Sequence, residues 1–151
     1  MEELVVKVIE PNPRLEMEIR DLLAGMGNGF PRFGGCELFA RMDKSGRVLG
    51  VACAVEGERF CHLLFVAVRP DSRRQGTGSM LVNHLLSHYA GTCDAMYLVT
   101  EDEGFFERFG FASIPRERLP EEVRLRAGRS KPGEPGVTAM WIELPGHRAR
   151  N

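Results

Sequence analysis

The sequence predicts a single mixed α/β domain spanning residues 1–151, and three observations lead there. Apolar runs of strand length alternate with stretches of helical periodicity in the order β-α-β-β-β-α-β-α-β. The three central strands are joined by short polar turns containing glycine, which makes them an antiparallel meander. The 151 residues are 43% hydrophobic and carry neither an internal repeat nor a linker. A chain of that size buries about 68–70% of its unfolded surface as one domain. Packing helices against a sheet is how such an element order hides its apolar faces.

Each element has its own signal. Leu4 to Ile9 is rich in β-branched residues and reads as a strand, broken by Pro11-Asn12-Pro13. Arg14 to Met26 reads as a helix, because Leu15, Ile19, Leu22 and Leu23 follow the i, i+4, i+7, i+8 pattern. GNGFPRFGG, residues 27–35, is a loop with aromatic content. Strands at Glu37–Arg41 and Arg47–Val55 flank the hairpin turn Asp43-Lys44-Ser45-Gly46. Glu56-Gly57-Glu58 turns the chain into Phe60–Val68, a strand too apolar for an edge. After Arg69-Pro70-Asp71-Ser72 comes a helix with Leu81, Val82, Leu85, Leu86 and Tyr89 facing inward, stopped at Gly91. Ala95–Val99 is a strand, and Glu101–Phe109 a helix ended by Gly110, which suits a left-handed cap. A Pro-rich stretch follows, with one or two helical turns at 120–127. Thr138–Leu144 is the last strand, and His147 onward reads as a frayed tail.

Charge and cysteine usage narrow the function classes. Twenty Lys and Arg against 21 Asp and Glu give a net charge of −1. That balance excludes a nucleic-acid binder held by bulk charge. No apolar run approaches the roughly 18 residues needed to cross a bilayer. MEELVVKVIE carries acids where a signal peptide carries bases. The expectation is a cytoplasmic protein with no nucleic-acid or membrane partner. Cys36, Cys53, Cys61 and Cys93 contain no Cys-x-x-Cys pair, and the last three sit in apolar stretches as small hydrophobes. His84 and His88 are four apart and share a helix face, but with no third ligand in view they read as a polar surface rather than a metal site.

The chemistry lies in FVAVRPDSRRQGTGSMLVNHLL, residues 65–86. A buried strand runs into a loop with arginines and two glycines, and that loop opens a helix. Helix N-termini present unpaired N–H groups and the positive end of the dipole, which suit a phosphate. Gly76 and Gly78 let the backbone approach an anion, while Arg69, Arg73 and Arg74 concentrate positive charge in an otherwise balanced chain. A dinucleotide fingerprint would need a third glycine where Met80-Leu81 stand, and a Walker loop would need a Lys that this segment lacks. The remaining pattern is Arg/Gln-x-x-Gly-x-Gly/Ala, met by Arg73, Gly76 and Gly78.

VAVRPDSRRQGTGSMLV resembles motif A of the GNAT superfamily of N-acetyltransferases, and Phe105-Phe106-Glu107-Arg108-Phe109-Gly110-Phe111 resembles its motif B. The element order agrees from about residue 4 to residue 144. YLVTEDEGFFERFGFASIPRERLPEEVR further resembles amino-acid acetyltransferases of the N-acetylglutamate synthase and arsenic-resistance types, although Thr100-Glu101-Asp102-Glu103-Gly104 lacks their run of small residues. The resemblance implies an α/β (α+β) fold with a mixed, mostly antiparallel central sheet flanked by helices. It implies an enzyme that transfers acetyl from acetyl-CoA to the primary amine of a small molecule, with an amino acid or analogue as the leading class. The alternatives are a protein or peptide amine, or a non-catalytic CoA-binding module.

Residue by residue, the resemblance assigns the pantetheine arm of acetyl-CoA to backbone groups of Val66, Ala67 and Val68. It assigns the pyrophosphate to the N–H groups of Arg74, Gln75, Gly76, Thr77, Gly78 and Ser79, with Arg73 or Arg74 side chains on the outer phosphates. An amine must lose its proton to attack. The family's general base on the fourth strand aligns with His62, whose ordinary pKa of about 6.5 suits the task. Glu56 and Glu58 are fallback bases. Motif B commonly supplies a Tyr that protonates the departing sulfur; here Phe106 stands there and cannot donate, with Tyr97 the nearest alternative. Arg32, Arg116, Arg118 and Lys131 are scattered bases that read as surface, though any could hold a carboxylate. The final strand is a candidate dimer edge, with monomer or homodimer expected.

Overall fold

A computed structural model of the chain describes residues 4–8, 13–25, 36–127 and 137–145. The expectations on the loop at 27–35, on Pro11-Asn12, and on Arg32, Lys131 and His147 lie outside the described residues. The chain divides into two compact units. One comprises Met1–Glu56 with Leu63–His88, the other Gly57–His62 with Tyr89–Asn151.

The first unit holds strands β1 (Leu4–Val8), β2 (Glu37–Met42), β3 (Val48–Glu56) and the last six residues of β4 (Phe60–Val68), in that spatial order. β1 runs antiparallel to β2, pairing Leu4 with Met42, and β2 antiparallel to β3, pairing Leu38 with Cys53. The hairpin between β2 and β3 forms as its residues dictate. Asp43 Oδ1 accepts from the N–H of Ser45 and of Arg47, at 2.9 and 3.0 Å, and Gly46 takes a φ of +90°. Helix α1 (Pro13–Gly25) lays Ile19, Leu22 and Leu23 on Leu38, Ala40, Val48, Val51, Cys53 and Ala67. Burying each such side chain contributes roughly 1.5–3 kcal/mol. Helix α2 (Thr77–Tyr89) buries Leu81, Val82, Leu85 and Tyr89, while Leu86 is half-buried rather than core. His84 and His88 stack with ring centroids 6.3 Å apart; His88 sits edge-on to the buried Phe39 and His84 is tilted against it. Burial, then the charge of His88, lowers the His84 pKa.

The second unit holds the first three residues of β4, then β5 (Ala95–Thr100), β7 (Thr138–Glu143) and β6 (Ala112–Ser113), in that order. β4 and β5 are parallel, pairing Phe60 with Ala95, Cys61 with Met96 and His62 with Tyr97. β7 pairs antiparallel with β5 along its whole length and with β6 through Trp141 and Met140. The final strand is therefore an interior strand and not the edge the sequence suggested. The two residues of β6 are too few to show a periodicity, yet they cover that edge. Helix α4 (Glu121–Ala127) packs Val123 with Leu119 and Ala139, against Phe60, Tyr97, Val99 and Ile114.

Two further elements differ from expectation for local reasons. The segment after β4 is a 3-10 helix, Pro70–Gln75, with proline at its start. Helix α3 is only Glu103–Glu107. Asp102 caps it, accepting the Phe105 N–H at 3.2 Å, so Glu101 lies outside. Its end tightens through Phe109 N–H to Phe106 O and Gly110 N–H to Glu107 O, and Gly110 takes a φ of +104°. Cys53, Cys61 and Cys93 are buried, Cys36 is half-buried, and none forms a disulfide.

Candidate active site

The glycine-rich segment joins the 3-10 helix to the start of α2. Gly76, at φ +76°, ends the 3-10 helix and lets the chain enter α2 at Thr77. The first helical bond runs from Met80 N–H to Gly76 O at 2.9 Å. The N–H groups of Thr77, Gly78 and Ser79 precede it, and no described atom lies within 4 Å of where a Cβ on Gly76 would stand. The turn is held from within. Arg41 of β2, 6% exposed, donates through Nη1 to Thr77 Oγ1 at 2.6 Å and to Gln75 O at 3.3 Å.

The arginines of this segment divide. Arg69, expected beside the phosphates, instead donates through Nε to Val48 O and lies 3.5 Å from Glu18 Oε1. Its N–H bonds Leu49 O at 2.8 Å, so it is a strut between β4 and β3 with its charge largely answered. The side chains of Arg73 and Arg74 lie outside the described residues; their backbone belongs to the 3-10 helix. Val66 and Val68 are half-buried and Ala67 fully buried, and all three lie beyond the stretch of β4 that pairs with β5.

His62 is 4% exposed and meets Arg126 of α4, whose Nη1 lies 2.9 Å from its Nδ1. A guanidinium has only donors, so Nδ1 accepts and the neutral ring carries its proton on Nε2. Burial, then the charge of Arg126, pushes the His62 pKa down to about 4. This corrects the expectation of an imidazole titrating near 6.5: as the chain stands, the lone pair a base would use is already occupied. Tyr97, directly opposite His62, has its pKa raised by burial and stacks on Trp141 at 6.3 Å, a packing role. Phe106 is buried with its ring edged on Phe105 and Phe111. Glu56 and Glu58 are exposed, as is Arg118, while Arg116 is half-buried with an Nη2 atom that meets no hydrogen-bond partner. Among the described residues no cluster of three His, Cys, Asp or Glu could hold a metal ion, and no helix is long and apolar enough to cross a membrane.

Arg126 and Arg41 escaped the sequence reading. Arg126 had a signal, since it falls three residues after Val123 and seven after Leu119, on the helix face that packs inward. Arg41 had a fainter one, a charge two residues beyond Phe39 on the same strand face.

The family model for the acetyltransferase (GNAT) family matches residues 10–111, a stretch that holds α1 and ends with the FFERFGF segment. The chain belongs to the GNAT family. It is an acetyl-CoA-dependent N-acetyltransferase with the family's α+β fold, a mixed and mostly antiparallel sheet with flanking helices. Solved structures agree on the fold. N-acetylglutamate synthase from Neisseria gonorrhoeae, complexed with coenzyme A and N-acetyl-glutamate, matches with a TM-score of 0.72 and 18% identity, over 95% of this chain and 36% of that one. Tetrahymena GCN5 matches at 0.69 and 17%, over 96% and 98%. An aminoglycoside 6'-N-acetyltransferase complexed with coenzyme A matches at 0.69 and 17%, over 93% and 96%. No protein of curated function matches by sequence.

Proposed function

We propose that the acceptor is the primary amine of an amino acid or close analogue, and that His62 takes its proton. One contact carries the reading: the Arg126 guanidinium sits on His62 Nδ1 at 2.9 Å, and among the described residues no carboxylate forms an ion pair with Arg126. An arriving carboxylate is the stronger partner for a guanidinium, because a bidentate charge-assisted pair outweighs a bond to a neutral imidazole. Drawing Arg126 away changes His62 twice. Its Nδ1 lone pair is released, and the nearby positive charge that opposed protonation is offset. In an amino acid the amine lies two bonds from the carboxylate, so the group that frees the base and the group that needs it arrive together.

Acetyl-CoA supplies the acetyl group as a thioester. Its pyrophosphate belongs with the N–H groups from Arg74 through Ser79 and the side chains of Arg73 and Arg74, and its pantetheine arm with the backbone of Val66, Ala67 and Val68. A thiol of pKa about 8.5 leaves without assistance, which is compatible with the phenyl ring of Phe106. The deciding measurement is thiol release with an amino acid, its carboxamide and its decarboxylated amine. The carboxylate-bearing acceptor should be preferred by about tenfold or more in kcat/KM, and Arg126→Met should erase that preference. Equal rates on all three acceptors, or an unchanged preference in Arg126→Met, would overturn the reading.

A further inference from the structure

We propose that Arg41 is a positioning residue for the cofactor's pyrophosphate, clamping the first turn of α2 from inside the protein. The inference rests on reading that turn as the pyrophosphate site. Arg41 is nearly enclosed, and one guanidinium nitrogen reaches two atoms, Gln75 O and Thr77 Oγ1. Those atoms flank Gly76, the residue whose left-handed φ of +76° redirects the chain. Glycine at such a bend has the freedom to take the conformation and equal freedom to leave it. A donor tied to both neighbours removes that freedom without touching the face on which an anion would lie.

The grip on Thr77 is two-sided. Its hydroxyl is held by Arg41, and its methyl fills the space that a side chain at Gly50 would occupy, 2.7 Å from the position of an added Cβ. Thr77 is fully buried although it opens a helix. The N–H groups of Thr77, Gly78 and Ser79 are thus oriented before any ligand arrives, and preorganised donors bind without a further cost of ordering. The cation also stands beside the positive end of the α2 dipole, where it adds to the attraction for a polyanion. A buried arginine with this geometry is a support built beneath the binding surface, distinct from Arg73 and Arg74 in the turn itself.

The test is calorimetric binding of coenzyme A to Arg41→Met, Arg41→Lys and Thr77→Val, with KM measured for acetyl-CoA and for acetyl-pantetheine, which lacks the pyrophosphate. Arg41→Met should weaken coenzyme A by about tenfold or more, leave kcat within about threefold, and leave KM for acetyl-pantetheine unchanged. Arg41→Lys, which keeps the charge and loses the fork, should fall between. Thr77→Val keeps the shape and removes the hydroxyl; it should weaken coenzyme A, and its effect should not multiply with that of Arg41→Met. Should Arg41→Met fail to fold, Arg41→Lys and Thr77→Val give the answer. Coenzyme A binding within twofold of the parent in the folded variants, or equal losses with both donors, would overturn the role of Arg41. Gln75→Glu, an exposed charge change on the turn, separates the two readings. If it leaves coenzyme A binding intact, the turn is not the pyrophosphate site; if it weakens binding and the Arg41 variants do not, only the clamp fails.

Discussion

In the proposed function the turn at Gly76 and the pair at His62 hold opposite kinds of chemistry. At the turn the working groups would be backbone N–H donors, and side chains such as Arg41 and Thr77 bond the main chain and one another beneath them. At His62 the working group would be a side chain whose properties are set by another side chain, Arg126, sixty-four residues away in sequence. A backbone site is built from consecutive residues and tolerates much variation in their side chains. A side-chain site depends on a pairing that the local sequence does not contain, and one substitution can change its protonation state outright.

The largest expected effect tests whether His62 does chemistry. His62→Ala should lower kcat/KM by about a hundredfold or more, followed by thiol release from roughly pH 6 to pH 9. A variant that keeps the parent rate throughout would reduce the pair to packing, and the contrast between the two regions would disappear.

That contrast also explains what was legible. R-R-Q-G-T-G before an apolar helix announced its turn, because glycines and a helix start are local features. The meander of β2, β3 and β4 was equally readable from apolar runs and glycine turns. The state of His62 was not, since its burial and its cation come from the packing of α4 onto β4 and β5. Arg69 misled in the complementary way: its charge is plain in sequence, but Glu18 of α1 answers it only in the fold. β6 was invisible because two exposed residues carry no pattern.

The next effect concerns acid. The folded imidazole titrates at about 4 against about 6.5 when unfolded. As pH falls below 6.5 the unfolded chain gains a proton and the folded chain does not until near 4, so stability is lost across that window. The loss from this group amounts to about 3 kcal/mol. Urea unfolding between pH 7 and pH 4 should show His62→Gln losing less stability than the parent. Identical slopes would mean that the imidazole is not held neutral.

The smallest effect separates two glycines of the turn region. An added Cβ at Gly50 meets Thr77 Cγ2 at 2.7 Å and the Ala67 carbonyl at 3.0 Å, whereas at Gly76 it meets nothing within 4 Å. Gly50→Ala should destabilise by about 1–3 kcal/mol through overpacking. Gly76→Ala carries only the backbone cost of a left-handed residue, about 1–2 kcal/mol. Thermal unfolding orders the two, and a larger loss at Gly76 would mean that the space beneath Thr77 is slack.

The interior place of β7 has a consequence for how the chain comes to be folded. During synthesis β5 emerges well before the strand that will occupy its side, and β6 emerges before it too. Until Thr138–Glu143 arrives, the apolar run Ala95–Thr100 stands with one row of hydrogen-bonding groups unmatched, which is a template for any passing strand. Closure must then bring together segments separated by α3, β6 and α4, a slow step by loop entropy. The nascent protein is most exposed to misassociation in that interval, and the late insertion of one strand is what ends it.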